Sequence, residues 1–170
     1  MAWTVPITWT PGQVVGATDL NMHIRDNELY LAGSGRPVGF LQYVSGLTTT
    51  STTFVDMSAG SLIVTANLNG SRAIVMLTLW ANFSNTITQW GSFTLIANSS
   101  VLAGNHSATY GLMSIGQNAT SFMSCIGYFS GLSAGSNTFK PQWKTSGSGT
   151  LTGGIALVGS QSVTVTVWEG

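Results

Sequence analysis

The stretch from Arg72 to Ser84 does most to limit what this chain can become. Ala73, Val75, Leu77, Leu79, Ala81 and Phe83 share one face of an extended strand, and Ile74, Met76, Thr78, Trp80 and Asn82 share the other. That alternation of period two predicts a β-strand. A sheet with one wet face places polar residues at every second position. Here both faces are largely apolar, so one belongs to a core and the other is expected to meet a second subunit. Ile74, Met76 and Trp80 are its expected interface residues. Residues 121–129 repeat the pattern, with Phe122, Ser124, Ile126 and Tyr128 opposite Met123, Cys125, Gly127 and Phe129. Closed symmetric oligomers commonly cover such surfaces. The plainer alternative is a central strand covered by a long loop of its own chain.

Period two runs through the chain from Val38 onward. Strands are expected at 39–44, 52–57, 61–66, 72–83, 89–97, 110–115, 121–129, 137–144, 154–158 and 162–168. Turn signals such as Asn69-Gly70, Ala103-Gly104-Asn105, Ser133-Ala134-Gly135 and Gly147-Ser148-Gly149 separate them. Roughly ten strands and no second helix predict an all-β fold. Its form is an antiparallel jelly-roll sandwich with an N-terminal extended arm and one short helix.

The arm is set apart by charge. Asp19, Arg25, Asp26, Glu28 and Arg36 are half of the ten charged residues, and Gly33-Ser34-Gly35-Arg36-Pro37 follows them as a linker. Two domains are therefore expected, an anchoring arm over 1–36 and a sandwich over 37–170. Pro6 and Pro11 oppose a helix at the start. From about Asp19 to Ala32 a helix reads well, with Thr18 as N-cap, Asp19 at the positive end of the dipole and Gly33 after the last turn. Leu20, Ile24, Asn27 and Leu31 form a coiled-coil seam with one polar member. So short a helix is marginal alone, so it needs a partner.

Charge also excludes functions. Only 6% of the 170 residues are charged and the net charge is zero, against about 25% in ordinary soluble chains. A nucleic-acid partner is not expected, because that affinity rests on Lys and Arg neutralising phosphates. No membrane partner is expected either, since no unbroken apolar run is long enough for a spanning helix. No secretion signal is read at the N-terminus, and Cys125 stands alone, so no internal disulfide is expected. Ser, Thr, Asn, Gln and Gly are left to face water. A surface so poor in ions belongs to a subunit covered by other chains or to a hydroxyl-rich outer coat.

Residues able to carry chemistry are few. His23 shares a helix face with Asp19 and Asp26, a spacing that could hold a metal, but acids beside a helical His are commonplace and a surface His is the reading taken. His106 lies in a Gly-Asn-His-Ser turn without ligand-type neighbours. Gly131-Leu132-Ser133-Ala134-Gly135 spells Gly-x-Ser-x-Gly, yet a nucleophile elbow needs a helix after it and a strand follows here. No enzyme, catalytic residue, metal or cofactor is expected. Five Asn-x-Ser/Thr sequons, at Asn69, Asn82, Asn98, Asn105 and Asn118, reflect a chain in which 43 residues are Ser or Thr. Trp90 and Trp143, each preceded by Gln, are the candidate platforms for a glycan, with core or inter-subunit packing as the alternative.

Residues 9–31 resemble an N-terminal segment that recurs in tailed-phage structural proteins. The matching positions are Trp9, Gly12, Leu20, Asn21, Ile24, Arg25, Asp26, Asn27 and Leu31, and Gly16 stands where that pattern more usually has Thr. Residues 52–57 and 136–144 resemble, more loosely, segments of trimeric jelly rolls of the tumour-necrosis-factor-like type. The resemblance implies an anchor-plus-display protein of the virion, made in the host cytoplasm. Trp3, Trp9, Leu20, Ile24, Arg25, Asp26, Asn27 and Leu31 would serve virion anchoring or trimer contact. The partners implied are two further copies of the chain and other capsid or tail proteins. A capsid decoration or short head fibre fits the size, because a long tail fibre would need shaft repeats. The alternative is a tail-tip or fibre adhesion module that binds a host surface glycan or receptor.

Overall fold

The computed structural model describes residues 5, 7–8, 10–25, 27, 37–43, 46–58, 60–84, 89–154 and 163–170. Residues 1–36 and 37–170 form two compact units.

In the first unit a turn at Thr10–Gln13 is closed twice. The Gln13 N–H donates to the Thr10 carbonyl at 3.0 Å, and the Gln13 side chain accepts from the Thr10 N–H at 3.1 Å. Gly12 supplies the positive φ of 82° that this turn requires. The helix starts earlier than the sequence predicted. Helix α1 is Ala17–Leu20 with Gly16, not Thr18, at the N-cap and no capping side chain. Glycine is an accepted N-cap residue. The next five residues, Asn21–Arg25, take a π-helical turn. Asn27 is helical; the rest of the expected continuation to Ala32 and the cap at Gly33 lie outside the described residues.

The second unit is a β-sandwich. Strands β1 (Pro37–Tyr43), β2 (Leu47–Thr49), β5 (Ala73–Ser84), β9 (Ala119–Phe129), β11 (Thr150–Gly153) and β12 (Val163–Glu169) form one antiparallel sheet. Strand β12 pairs with β5 over 73–78 and β11 pairs with it over 81–84, so both share one edge of β5 while β9 takes the other. With β1 beyond β12 and β2 beyond β11, the sheet is four strands wide. The second sheet holds β3 (Val55–Asp56), β4 (Val64–Leu68), β6 (Gly91–Ala97), β7 (Val101–Leu102), β8 (Met113–Ile115) and β10 (Gly135–Thr145). There β3 and β4 share one edge of β10, β6 takes the other, and β7 and β8 flank β6. The chain passes from sheet to sheet after β2, β4, β5, β8, β9 and β10. That nested path is a jelly roll.

The core lies between the sheets. All six inward residues of β5, from Ala73 to Phe83, are fully buried, and Phe93, Leu95, Phe139 and Trp143 meet them from the second sheet. Phe129 and Phe139 contact edge to face with centroids 5.4 Å apart. Twelve strands form among the described residues, where about ten are expected. Strands 47–49, 101–102 and 150–153 were missed, and the expected strand at 52–57 shrinks to two residues. Most of the one expected at 154–158 lies outside the described residues.

Candidate functional site

The outer face of the first sheet is built in rows by strand register. Trp168, Ile74 and Tyr128 are cross-strand neighbours, and the next row runs Phe40, Thr166, Met76 and Ile126. Gln42, Thr164, Thr78 and Ser124 follow, then Trp80 beside Phe122 and Asn82 beside Thr120. Phe122 is 65% exposed, Phe40 61% and Ile126 56%. The polar members tie one another across the strands. The Thr78 and Ser124 hydroxyls lie 2.8 Å apart and Asn82 donates to Thr120 at 2.6 Å. Among the described strand residues this face carries no charged side chain. The polar row of Gln42, Thr164, Thr78 and Ser124 divides the face into two apolar clusters, and exposed apolar groups gathered in this way mark contact surfaces.

One edge of that sheet is closed by a side chain. Asn105 donates to the Ile126 carbonyl at 2.8 Å and accepts from the Tyr128 N–H at 3.2 Å, so its amide stands in for a neighbouring strand. The Gly104 N–H completes the contact on the Tyr128 carbonyl at 2.7 Å.

The outer face of the second sheet differs in chemistry. Lys140, Gln142 and Lys144 point outward from β10, and Asp56 reaches them from β3. Lys140 Nζ is 3.1 Å from Asp56, and Gln142 donates to the same carboxylate at 2.8 Å. Burial alone would raise the Asp56 pKa, but the hydrogen bonds from Gln142 and Lys140, with the Lys140 charge, hold it below the usual value. Lys144 Nζ donates to the Ala108 carbonyl at 2.9 Å and sits 4.5 Å over the Phe54 ring. His106 packs edge-on to Phe54 and shares a 2.7 Å hydrogen bond with the buried Thr94. Burial and the nearby Lys144 charge lower the His106 pKa. Just before β6, the ring of Trp90 stands 5.4 Å from that of Tyr110, with their planes inclined at 42°.

The structure separates the two glycan candidates. Trp143 is 1% exposed and packs 6.3 Å from Phe93 within the core, so it cannot be a surface platform. Its neighbours explain why: with Lys140, Gln142 and Lys144 outward, the alternate positions Phe139, Pro141 and Trp143 must turn inward. Trp90 lies half-buried on the outward row with Ser92 and Thr94. Ile74, Met76 and Trp80 all lie on the uncharged outer face, together with Phe40, Phe122, Ile126, Tyr128 and Trp168, which were not among the expected interface residues. Strand parity carried that signal for β9, whereas Phe40 and Trp168 reach the face only through pairing that no local pattern reveals.

On the arm, Leu20 and Ile24 are exposed, and Asn27 is buried with its amide donating to the His23 carbonyl at 3.2 Å. Arg25 ends the π turn. Trp3, Trp9, Asp26 and Leu31 lie outside the described residues. No group of three metal-ligating side chains occurs among the described residues. His106 bonds to Thr94, and Ser107 Oγ accepts from the Tyr110 N–H, so these sequence neighbours do not pair. The Gly-x-Ser-x-Gly segment connects β9 to β10 and no helix follows it.

No family model matches the chain, and no curated protein matches it. Among solved structures it is similar to the enzymatically active domain of tailspike protein 4 of bacteriophage CBA120. Identity is 14% and the TM-score 0.24, over 78% of this chain and 20% of that one. The matched part is a small share of that longer protein, and the activity in its description is said of that protein alone.

Proposed function

We propose that the chain is a structural protein of a tailed-phage virion. It assembles as a homotrimer of jelly rolls, uses residues 1–36 to dock on other virion proteins, and stands on the head as a decoration or short fibre. The observation that carries this reading is the uncharged, aromatic-rich outer face of the first sheet, on a sandwich whose core is already complete without it. Burying one large apolar side chain contributes about 1.5–3 kcal/mol, so a few of Phe40, Ile74, Met76, Trp80, Phe122 and Ile126 suffice to hold copies together. The resemblance of residues 9–31 to phage anchoring segments supports the docking role, as do Leu20 and Ile24, exposed together on a helix too short to stand alone. Enzyme chemistry has no part in this function.

Light scattering tests the assembly. The full chain is expected to be trimeric at micromolar concentration, and Phe122→Ser with Ile126→Asp to be monomeric with an unchanged β-sheet circular dichroism spectrum. A monomeric parent chain overturns the reading. Immunogold labelling of particles tests the location: labels over the head are expected, and labels at the tail tip would assign the adhesive role instead.

A further inference from the structure

We propose that the outer face of the second sheet carries a binding site for an acidic saccharide, formed by Trp90, Tyr110 and Lys144. The site lies on the sheet opposite the assembly face and does not depend on the trimer reading.

The inclined pair of Trp90 and Tyr110 rings leaves an angled aromatic surface, and Tyr110 is 52% exposed. The apolar C–H faces of a pyranose ring pack on such surfaces, while its hydroxyls need donors and acceptors nearby. Two such groups stand unused. Ser92 Oγ and Trp90 Nε1 are buried without a hydrogen-bond partner, and buried polar groups in that state are uncommon. Ser92 lies on the outward row of β6, and Trp90, just before the strand, has the same parity two residues earlier.

Lys144 supplies the charge. It sits opposite Ser92 in the register of β10 and β6, and the Ala108 carbonyl and Phe54 ring fix where its ammonium lies. No carboxylate pairs with it among the described residues, whereas Lys140 on the same face is neutralised by Asp56. In a sandwich with so few charges, a held but unneutralised ammonium beside an aromatic pair selects an anionic ligand. Lysine serves phosphate and carboxylate alike as a point charge, so the aromatic pair, rather than the ammonium, is what points to a saccharide as the carrier of the anion. A sugar carboxylate needs only the point charge that lysine gives.

Titration of the full chain with tetragalacturonate and with sialyllactose, read by tryptophan fluorescence, tests the site; cellotetraose and lactose are the neutral controls. One of the acidic probes is expected to bind saturably in the millimolar range or tighter, at least tenfold better than its neutral control. Lys144→Gln should remove that preference. Tyr110→Ala, at an exposed position, should weaken binding at least tenfold while leaving the unfolding midpoint in place. Saturable binding of neither acidic probe, equal binding of acidic and neutral probes, or binding that survives both substitutions would each overturn the proposal. None of these outcomes bears on the oligomeric state.

Discussion

Cys125 illustrates how far burial controls single residues here. Its thiol is pushed up to about 12 by desolvation, against a smaller opposing effect from a backbone hydrogen bond with Leu77. Because the thiolate is the reactive form, a thiol reagent at neutral pH should leave the folded protein unmodified and label it once it unfolds. Rapid labelling of the native chain would contradict the burial. Trp143 gives the energetic counterpart. Trp143→Ala is expected to cost about 3–5 kcal/mol, read as a large drop in the urea midpoint. Tyr110→Ala should stay within about 0.5 kcal/mol of the parent. The burial of Trp143 was legible in principle, since Lys140 and Lys144 fix the outward parity of that strand. A polar predecessor such as Gln142 says nothing about the direction of the next side chain. Trp90 is the reverse case: its outward parity is readable, but its neighbour Tyr110, expected to open a strand at 110–115, lies in the turn before β8. The sequons also resolve at this scale, because the amides of Asn69, Asn82, Asn98 and Asn105 are all spent on internal hydrogen bonds.

At the scale of elements, long-range clasps hold the strands in order. The Glu169 carboxylate on β12 accepts from the Asn69 N–H at 2.7 Å, the Gly70 N–H at 2.5 Å and the Asn69 amide at 2.9 Å. It thereby fixes the turn between β4 and β5 to the end of the chain. Glu169→Ala should cost about 1–3 kcal/mol, as for hydrogen bonds to a charged group, measured by urea denaturation. A second clasp joins β3 to β10 through Asp56, and it brings a pH dependence. The folded carboxyl binds its proton less readily than the unfolded one, so the stabilisation is present above the unfolded pKa and lost as pH falls through the folded value. Urea midpoints should therefore decline below about pH 5, and Asp56→Asn should lessen that decline. Strand legibility follows length: β5, β9 and β10 repeat their alternation often enough to be read. β2 and β7, with three and two residues, have no room for a period. The helix start was misplaced because Thr18 and Asp19 look like a cap and first turn, while Gly16 makes its contact through the backbone carbonyl that accepts from the Leu20 N–H.

For the whole molecule, every residue of the central core falls within 37–170. A fragment of those residues alone is expected to give a β-sheet circular dichroism spectrum and one cooperative thermal transition. A fragment that melts without cooperativity would mean that the arm contributes to the fold. Three of the five charges of the sandwich gather on one side: Asp56, Lys140 and Lys144 sit on the outer face of the second sheet. Glu169 is spent on the β4–β5 turn, and Arg72 lies just before β5, at the border of the first sheet's outer rows, whose strand residues carry no charge. Composition revealed the scarcity of ions, but this placement needed the register.

That placement has a thermodynamic consequence. Contacts made through rows without ions have no Coulombic component for dissolved salt to screen, whereas apolar association is favoured by sulfate and weakened by cold. Subunits joined through this face would tolerate brine and come apart most readily on ice.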